Sequence, residues 1–314
     1  MVNQSLNRLR RAGQQESGMV EKPVVGFIGV GLMGWGMAKN AVEKGFPLRV
    51  VAHRKREAVD NLVKRGAVEC ASVAELAAQS DIIAMCVTGS PQVEANIAEI
   101  LPHARAGLTI VDSTTADPAS TTRLAAELAE KGITLVDAPL SRTPAHAWDG
   151  ELTTYVGGEP AMLERIRPLL ETWASVIIPT GGPVGSAHAV KLINNLIGIG
   201  YAAIWSEAYS TAEQAGIAPS VLHEIVTNSG LNCGNFQNYS KYILEGDPNA
   251  HRFALSNCLK DLTYYSRLAQ AHQAPTLVSS GVLQTLTLGS NLGEGERMMP
   301  EMVEIFRRLR PANA

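Results

Sequence analysis

Residues 26–40 read GFIGVGLMGWGMAKN and set Gly29, Gly31 and Gly34 in GxGxxG spacing. The apolar residues before Gly29 predict a buried strand, and the pattern that follows predicts a helix from about Leu32 to Lys44. In such a loop Gly29 permits a tight turn, Gly31 lets the backbone approach a pyrophosphate, and Gly34 allows the helix to pack closely on the strand. Free N–H groups at the helix start would bind the anion. The loop therefore predicts a dinucleotide site.

Short apolar runs alternate with amphipathic stretches through the first half of the chain. The predicted strands are Val24–Val30, Leu48–Ala52, Ile82–Val87, Thr109–Asp112 and Ile133–Val136. Because these runs are apolar throughout, they predict a parallel sheet that is covered by helices on both faces. Thr153–Val156 and Val176–Ile178 are predicted as two further strands at the edge of this sheet.

The character of the sequence changes after Gly185. A single long helix is predicted from Ser186 to about Ala215, and the later segments are also helical in pattern. The predicted fold class is an α/β Rossmann domain with a parallel doubly wound sheet, followed by a long interdomain helix and an all-α domain. The domains are predicted as a disordered leader (1–22), a dinucleotide-binding Rossmann domain (23–185) and an all-helical substrate and dimerisation domain (186–314).

Composition excludes several classes of function. The 314 residues include 27 Lys and Arg against 30 Asp and Glu, a net charge of −3, which argues against nucleic acid as a partner. No run of about 18 apolar residues is present, so no membrane span is expected. The 4 cysteines show no metal-ligand or disulfide spacing. We therefore expect no metal and a cytoplasmic location.

The choice between NAD(H) and NADP(H) depends on the residues after the second strand. A carboxylate at that point holds the ribose hydroxyls of NAD, but this chain has His53, Arg54, Lys55 and Arg56 there. The Arg54 guanidinium could bind a 2′-phosphate through two parallel bonds. NADP(H) is therefore favoured, with NAD(H) possible. The alternative is that these residues form only a solvated, basic helix start.

Four motifs occur in the order and spacing of the β-hydroxyacid dehydrogenase family, which this chain resembles from Val24 onward. They are the loop at 26–40, DAPLSRTPAHAWDGELT at 137–153, GGPVGSAHAVKLINN at 181–195 and CLKDL at 258–262. The family is similar to 3-hydroxyisobutyrate dehydrogenases and 2-hydroxy-3-oxopropionate (tartronate semialdehyde) reductases. The resemblance implies a Rossmann domain, a long interdomain helix, a helical domain and a nicotinamide cofactor.

The resemblance also implies roles for individual residues. Lys191 would be the general acid/base, and Asn195, which lies on the same helix face at i+4, would orient it and the substrate. Ser113 would contact the substrate. The implied cofactor-binding residues are Gly29, Gly31, Leu32, Met33, Gly34, His53, Arg54, Lys55, Val87, Thr114 and Lys260. His188 is left out of the predicted site because a lone histidine of this kind is more often packed or solvated.

Ser141, Arg142 and Thr143 depart from the Ser-Gly-Gly that many family members have at the substrate-carboxylate loop. An arginine suits a planar carboxylate or a sulfonate, and the Arg-Thr variation looks like that of sulfolactaldehyde reductases. These three residues are predicted to bind the acid group of the substrate.

The predicted activity is that of an NAD(P)-dependent oxidoreductase interconverting a small anionic 3-hydroxy acid and its aldehyde, in a homodimer or homotetramer. Sulfolactaldehyde reductase is one alternative. A non-catalytic dinucleotide-binding scaffold or sensor is another.

Overall fold

The computed structural model describes residues 22–53, 56–247 and 249–310. Its strands are β1 (Val25–Ile28), β2 (Leu48–Val51), β3 (Val68–Cys70), β4 (Ile82–Met85), β5 (Thr109–Asp112), β6 (Thr134–Asp137), β7 (Leu140–Ser141), β8 (Leu152–Val156) and β9 (Ala174–Pro179). Its helices are α1 (Gly34–Glu43), α2 (Glu57–Lys64), α3 (Val73–Ala78), α4 (Ser90–Ile100), α5 (Pro118–Ala129), α6 (Pro144–Asp149), α7 (Pro160–Leu170), α8 (Ser186–Gln214), α9 (Pro219–Thr227), α10 (Gly234–Glu245), α11 (Leu255–Ala271), α12 (Leu277–Asn291), a 3₁₀ turn (Met299–Met302) and α13 (Val303–Arg308). The predicted leader, apart from Lys22, and the predicted cofactor residues Arg54 and Lys55 lie outside the described residues.

The main sheet has the order β3-β2-β1-β4-β5-β6, and its pairings are parallel throughout. Two apolar clusters cover its opposite faces, one around Phe27 and Trp173 and the other around Ile83 and Leu124. Because β1 lies between β2 and β4, the order of connection reverses between β1 and β4. Ligands bind outside the carboxyl ends of the strands at such a point. The predicted Rossmann sheet is confirmed.

The prediction of two further strands at the edge of this sheet is wrong. β8 and β9, which contain those residues, pair with each other and with β7 in a separate three-stranded sheet. Pro139 has no N–H and cannot continue the hydrogen-bond ladder of β6, so the chain leaves the main sheet there. β8 still meets the end of β6, since Gly157 N donates to the Asp137 carbonyl at 3.0 Å.

Several short elements were not predicted. β3 has only three residues, and both Val68 and Glu69 are exposed, so it lacks the apolar run by which the other strands of the main sheet were recognised. The helices α3, α6 and α7 were also not predicted. α6 matters most for the site, because it follows directly after Ser141–Thr143.

The later part of the chain is helical, as predicted. α8 runs from Ser186 to Gln214, within one residue of the prediction, and packs against α11, α12 and α13. Phe236, Tyr239, Leu262 and Met302 are buried in the apolar cluster between these helices. In the described part of this half, residues 186–247 and 249–310, the structure forms no β-strand. Across the described ranges no helix is both long enough and apolar enough to span a membrane.

Candidate active site

The loop after β1 uses its glycines for three different reasons. Gly29 has φ +94°, and a Cβ there would lie 2.3 Å from the Cys86 carbonyl oxygen, so only glycine fits. A Cβ on Gly34 would lie 2.1 Å from the Gly29 carbonyl oxygen. Gly31 is different, because a Cβ there would meet no atom of the protein within 4 Å. The loop is therefore closely packed on the protein side and open above Gly31.

The open side of this loop lies at the start of α1. No side chain caps the helix, Met33 occupies the cap position, and the first turn contains no acidic residue. Backbone N–H groups and the positive end of the helix dipole are thus available to an anion. Leu32 is 59% exposed beside them. These residues fit the pyrophosphate of a nicotinamide dinucleotide.

The end of β2 is the predicted position of the adenosine ribose. His53 is exposed there. Arg56 donates two hydrogen bonds to the carboxylate of Glu69, at 3.1 and 2.9 Å, and one to Asp60 at 3.1 Å. Arg56 is therefore paired with carboxylates rather than directed at a phosphate site.

The loops after β4 and β5 lie together at the carboxyl edge of the sheet. Val87 N donates to the Thr114 hydroxyl at 3.1 Å, and Thr114 N donates to Asp112 Oδ1 at 3.0 Å. Ser113 is 4% exposed, and its hydroxyl oxygen has no partner among the described residues. Three of the predicted site residues, Val87, Ser113 and Thr114, are thus brought together beside the dinucleotide loop.

Lys260 joins these loops to α11 and α8. Its Nζ donates to the Thr115 carbonyl at 3.0 Å and to Asp261 Oδ1 at 2.6 Å. The other carboxylate oxygen of Asp261 accepts from Asn195 Nδ2, also at 2.6 Å. Because Asn195 is four residues after Lys191, this network lies on the α8 face that carries Lys191.

The environment of Lys191 lowers the pKa of its side-chain ammonium group. Burial lowers the pKa of the Lys191 ammonium, and the nearby positive charge of Lys260 lowers it further, while Asp261 opposes both effects. An amine with a lowered pKa releases its proton more readily than an exposed lysine does. Lys191 is therefore suited to proton transfer.

The Ser141–Thr143 loop leads from β7 into α6. Arg142 has φ +83°, in the left-handed region that glycine prefers, and its exposed guanidinium donates to the Glu151 carbonyl at 3.0 Å. Thr143 precedes α6, and its hydroxyl is bonded to His146 Nδ1 at 2.6 Å. Ser141 pairs with Thr153 of β8. The Arg142 side chain is thus held by the segment between α6 and β8 rather than by the Lys191 network.

The short helix α6 fixes this loop against α1. A Cβ on Gly36 would lie 2.6 Å from the Ala147 carbonyl carbon, so the two helices touch through their backbones. Asn40 Nδ2 also donates to the Ala147 carbonyl at 2.8 Å. The helix at the dinucleotide loop and the helix at the Ser141–Thr143 loop are therefore packed directly together.

Comparison with known proteins agrees with this arrangement. Residues 24–182 match the family model described as the NAD binding domain of 6-phosphogluconate dehydrogenase. Residues 185–306 match that of NAD-binding of NADP-dependent 3-hydroxyisobutyrate dehydrogenase. The chain belongs to the β-hydroxyacid dehydrogenase family.

Relatives in the family are named for different substrates. 2-(Hydroxymethyl)glutarate dehydrogenase of Eubacterium barkeri is 32% identical over 92% of this chain and 97% of its own length. 3-Sulfolactaldehyde reductase of Escherichia coli (strain K12) is 29% identical over 90% of this chain and 95% of its own. The crystal structure of 3-hydroxyisobutyrate dehydrogenase from Salmonella typhimurium has a TM-score of 0.81 at 29% identity, covering 90% of this chain and 99% of that one. This β-hydroxyacid dehydrogenase family member is an NAD(P)-dependent oxidoreductase that acts on CH–OH groups.

A buried polar cluster in this family member was not among the predicted site residues. His188, three residues before Lys191, is fully buried, and so are Asp112 and Asp137 at the ends of β5 and β6. His188 N donates to Asp137 Oδ2 at 2.9 Å. One sequence signal could have indicated the cluster, because Asp112 ends one strand predicted for the main sheet, Asp137 directly follows another, and parallel strands end at one edge.

Proposed function

We propose that this enzyme interconverts a small anionic 3-hydroxy acid and its aldehyde, using NADP(H), with Lys191 as the general acid/base. The proposal rests on Lys191, whose amine has a lowered pKa and lies on the same helix face as Asn195. Asp261 holds the Asn195 side chain in place through a hydrogen bond. The activity would resemble that of 2-hydroxy-3-oxopropionate reductase or 3-hydroxyisobutyrate dehydrogenase.

Different residues of the chain would carry out different parts of the aldehyde reduction. A bound nicotinamide cofactor would supply the hydride. As negative charge develops on the aldehyde oxygen, the Lys191 ammonium would stabilise it and donate a proton to it. Asn195 gives its amide N–H to Asp261 and so has its carbonyl oxygen to offer to the substrate hydroxyl. In the oxidation direction the neutral amine would accept the hydroxyl proton.

The cofactor is proposed to bind along the carboxyl edge of the sheet. Gly29, Gly31, Leu32, Met33 and Gly34 would surround the pyrophosphate, and Val87, Thr114 and Lys260 would lie along the nicotinamide side. NADP(H) is favoured over NAD(H) because the residues after β2 are His53, Arg54 and Lys55 rather than a carboxylate.

The acid group of the substrate is proposed to bind at Ser141, Arg142 and Thr143, with Ser113 nearer the reacting carbon. The Arg142 guanidinium has five N–H donors, of which Nη1 is bonded to Glu151, so donors remain for an anion. A sulfonate would suit this cation as well as a carboxylate does. The second candidate is therefore reduction of sulfolactaldehyde, favoured by Arg142-Thr143 and by the 29% identity to 3-sulfolactaldehyde reductase.

Turnover assays would decide the reaction, the coenzyme and the substrate together. Oxidation of NADPH and, separately, NADH would be followed with tartronate semialdehyde, methylmalonate semialdehyde, succinic semialdehyde and sulfolactaldehyde. Oxidation of 2-(hydroxymethyl)glutarate would test the reverse direction. We expect one aldehyde to be preferred, with a higher kcat/KM for NADPH than for NADH. No turnover by wild-type protein that binds NADPH would instead support a non-catalytic scaffold or sensor.

A homodimer or homotetramer is proposed from the exposed apolar face of α8. The face consists of Val190, Ile193, Ile197, Tyr201 and Ile204, each between 38% and 57% exposed, at helical spacing. Apolar stripes of this size are normally covered, and closed dimers are the commonest assemblies. Residues 186–314 would then serve as the substrate and dimerisation domain, and residues 23–185 as the dinucleotide domain. Ile197→Asp should yield monomers in light scattering, and an unchanged mass would contradict this interface.

The cytoplasm is proposed as the location. Cys70, Cys86, Cys233 and Cys258 are all free thiols, as expected in a reducing compartment. The proposed partners are the dinucleotide, the small anionic aldehyde or 3-hydroxy acid, and further copies of the chain.

A further inference from the structure

Two aspartates and a histidine form a buried cluster beneath the first turn of α8. Asp112 in β5 and Asp137 in β6 occupy neighbouring positions in the register of the two parallel strands. They are 1% and 0% exposed. His188, also 0% exposed, enters between them from α8. Ionisable groups at such depth are rare and need compensation.

The cluster ties four elements together. Asp137 Oδ2 accepts the backbone N–H of His188 at 2.9 Å and so satisfies a free N–H group in the first turn of α8. His188 Nδ1 is bonded to the Thr121 hydroxyl of α5 at 2.8 Å. Asp112 Oδ1 accepts from Thr114 N, and Asp112 Oδ2 lies 4.0 Å from His188 Nε2.

The two ring nitrogens of His188 have different surroundings. Nδ1 is hydrogen-bonded to the Thr121 hydroxyl at 2.8 Å, and that hydroxyl also lies 3.2 Å from the Asp117 carbonyl. His188 Nε2 and Asp112 Oδ2 face each other, and neither has a hydrogen-bond partner in the described structure. A proton on either atom would make this contact attractive, whereas two bare acceptors would repel each other. Burial raises the pKa of the Asp112 carboxyl, while the nearby His188 opposes that rise.

The position of the cluster connects it to Lys191. His188 and Lys191 are three residues apart, so their side chains lie on the same face of α8. On its other side Asp112 holds Thr114, whose hydroxyl accepts Val87 N. Asp112 is thus bonded to the loop proposed to bind the nicotinamide, and it faces the helix that carries the proposed acid/base.

We propose that His188 is a positioning residue for Lys191. The Nε2 atom of His188 is directed at Asp112, and this contact fixes the rotation of the first turns of α8 about the helix axis, at the edge of the sheet. The proposal rests on the role of Lys191 proposed above. A displacement of a reacting group by about 1 Å can lower a rate about 100-fold. Loss of the His188 contact should therefore lower kcat, while KM and dinucleotide affinity change little.

Three substitutions at His188 distinguish the contribution of the Nδ1 contact from that of the Nε2 contact. His188→Gln places an amide N–H near the Nε2 position, where it can donate to Asp112. His188→Asn places it near the Nδ1 position, where it reaches Thr121 only. We expect kcat to fall roughly 10- to 100-fold in His188→Asn and His188→Ala, and to stay within about threefold of wild type in His188→Gln. His103→Ala, which removes an exposed histidine, is the control.

Thermal unfolding and NADPH binding would be measured for each variant. An equal fall in kcat in all three His188 variants would show that the imidazole has only a packing role, and the proposal would be wrong. The same conclusion follows if kcat and NADPH affinity both fall in proportion to the fraction of protein that has unfolded. If His188→Asn is as active as wild type, the Asp112 contact has no positioning effect.

A measurement on Lys191 itself distinguishes failure of this proposal from failure of the proposed function. Acetylation of Lys191 by acetic anhydride would be timed by peptide mass spectrometry without substrate, with the exposed Lys241 as internal reference. The rate should change in His188→Asn and His188→Ala and stay near wild type in His188→Gln. Should the wild type reduce no aldehyde, this comparison still decides whether His188 positions the amine. Equal rates in all proteins would overturn the proposal.

Discussion

The centre of the candidate site and its rim are built differently. At the centre, Asn195, Asp261 and Lys260 are joined by hydrogen bonds of 2.6 Å, and Asp261 is 2% exposed. At the rim, Leu32 is 59% exposed, and the exposed Arg142 side chain forms one hydrogen bond, to the Glu151 carbonyl. Groups fixed on several sides can align a proton transfer, whereas exposed groups bind and release ligands. Substitutions at the centre should therefore lower kcat, and those at the rim should weaken binding.

The largest effect is expected at Lys191. Lys191→Ala removes both the proton donor and the charge that would stabilise the developing oxyanion, so kcat for aldehyde reduction should fall about 10²- to 10⁴-fold. NADPH binding, measured by fluorescence titration, should be retained. Lys241→Ala, on an exposed position of α10, should leave kcat unchanged. A Lys191→Ala enzyme with at least half of the wild-type kcat would show that the centre does not work as proposed.

Two glycines of the dinucleotide loop should separate folding from binding. At Gly31 an added Cβ meets no protein atom within 4 Å, so Gly31→Ala should keep the wild-type Tm but fill space needed by the pyrophosphate. If one charge-assisted hydrogen bond worth about 2–3 kcal/mol is lost, the Kd for NADPH rises about 30- to 150-fold. Gly29→Ala should instead lower Tm, because its φ is +94° and the Cβ would lie 2.3 Å from the Cys86 carbonyl oxygen. The same Kd in Gly31→Ala and wild type would argue that the dinucleotide does not bind over this loop.

A smaller effect is expected at Arg142. Arg142→Gly removes an exposed cation and relieves the left-handed backbone (φ +83°), so the folded protein should be at least as stable. KM for the anionic aldehyde should rise about 10- to 100-fold, with kcat within about threefold of wild type, since the guanidinium is proposed to bind the acid group. Steady-state kinetics on the preferred aldehyde would measure this. A fall in kcat at constant KM would place Arg142 with the centre instead of the rim.

The smallest change is expected in the pH dependence. Reduction needs the protonated form of Lys191, so its rate should fall as pH rises through a pKa below the ordinary lysine value of about 10.4. Oxidation needs the neutral amine of Lys191, so the oxidation rate should rise as pH increases through the same pKa. Burial lowers this pKa, and Lys260 lowers it further, so Lys260→Met should move both pH profiles to higher pH, measured at saturating NADPH for reduction and saturating NADP+ for oxidation. Movement to lower pH would contradict the assignment of this pKa to Lys191.

The fold could be predicted where single residues impose it. The left-handed turn at Gly29 and the contact at Gly34 require glycine, which makes the loop between β1 and α1 visible in the sequence. The uninterrupted helical pattern after Gly185 likewise predicted α8. The pairing of β8 and β9 could not be predicted, since their apolar pattern does not say which neighbour each strand has.

The site could be predicted only in part. Its loops follow strands with recognisable patterns, but the hydrogen bond between His188 N and Asp137 joins residues that are 51 positions apart in the chain. A histidine three residues before a lysine gives no sign of that contact. Arg142 shows the opposite case, because its charge suggests a ligand, while its direction is set by the Glu151 carbonyl and by a backbone conformation that the residue type disfavours.

The backbone contact between Gly36 and Ala147 has a consequence for how the enzyme moves. Through it, α1 and α6 form one rigid unit, so the dinucleotide loop and the loop proposed to hold the acid group keep a constant spacing. Lys191 belongs to α8, which packs on β6, β8 and α5. A displacement of α8 relative to this unit would therefore change the position of the proton donor, while the spacing between cofactor and substrate stays the same. Hydride transfer and proton transfer would then occur at separate times. A solvent isotope effect would report on the proton transfer alone.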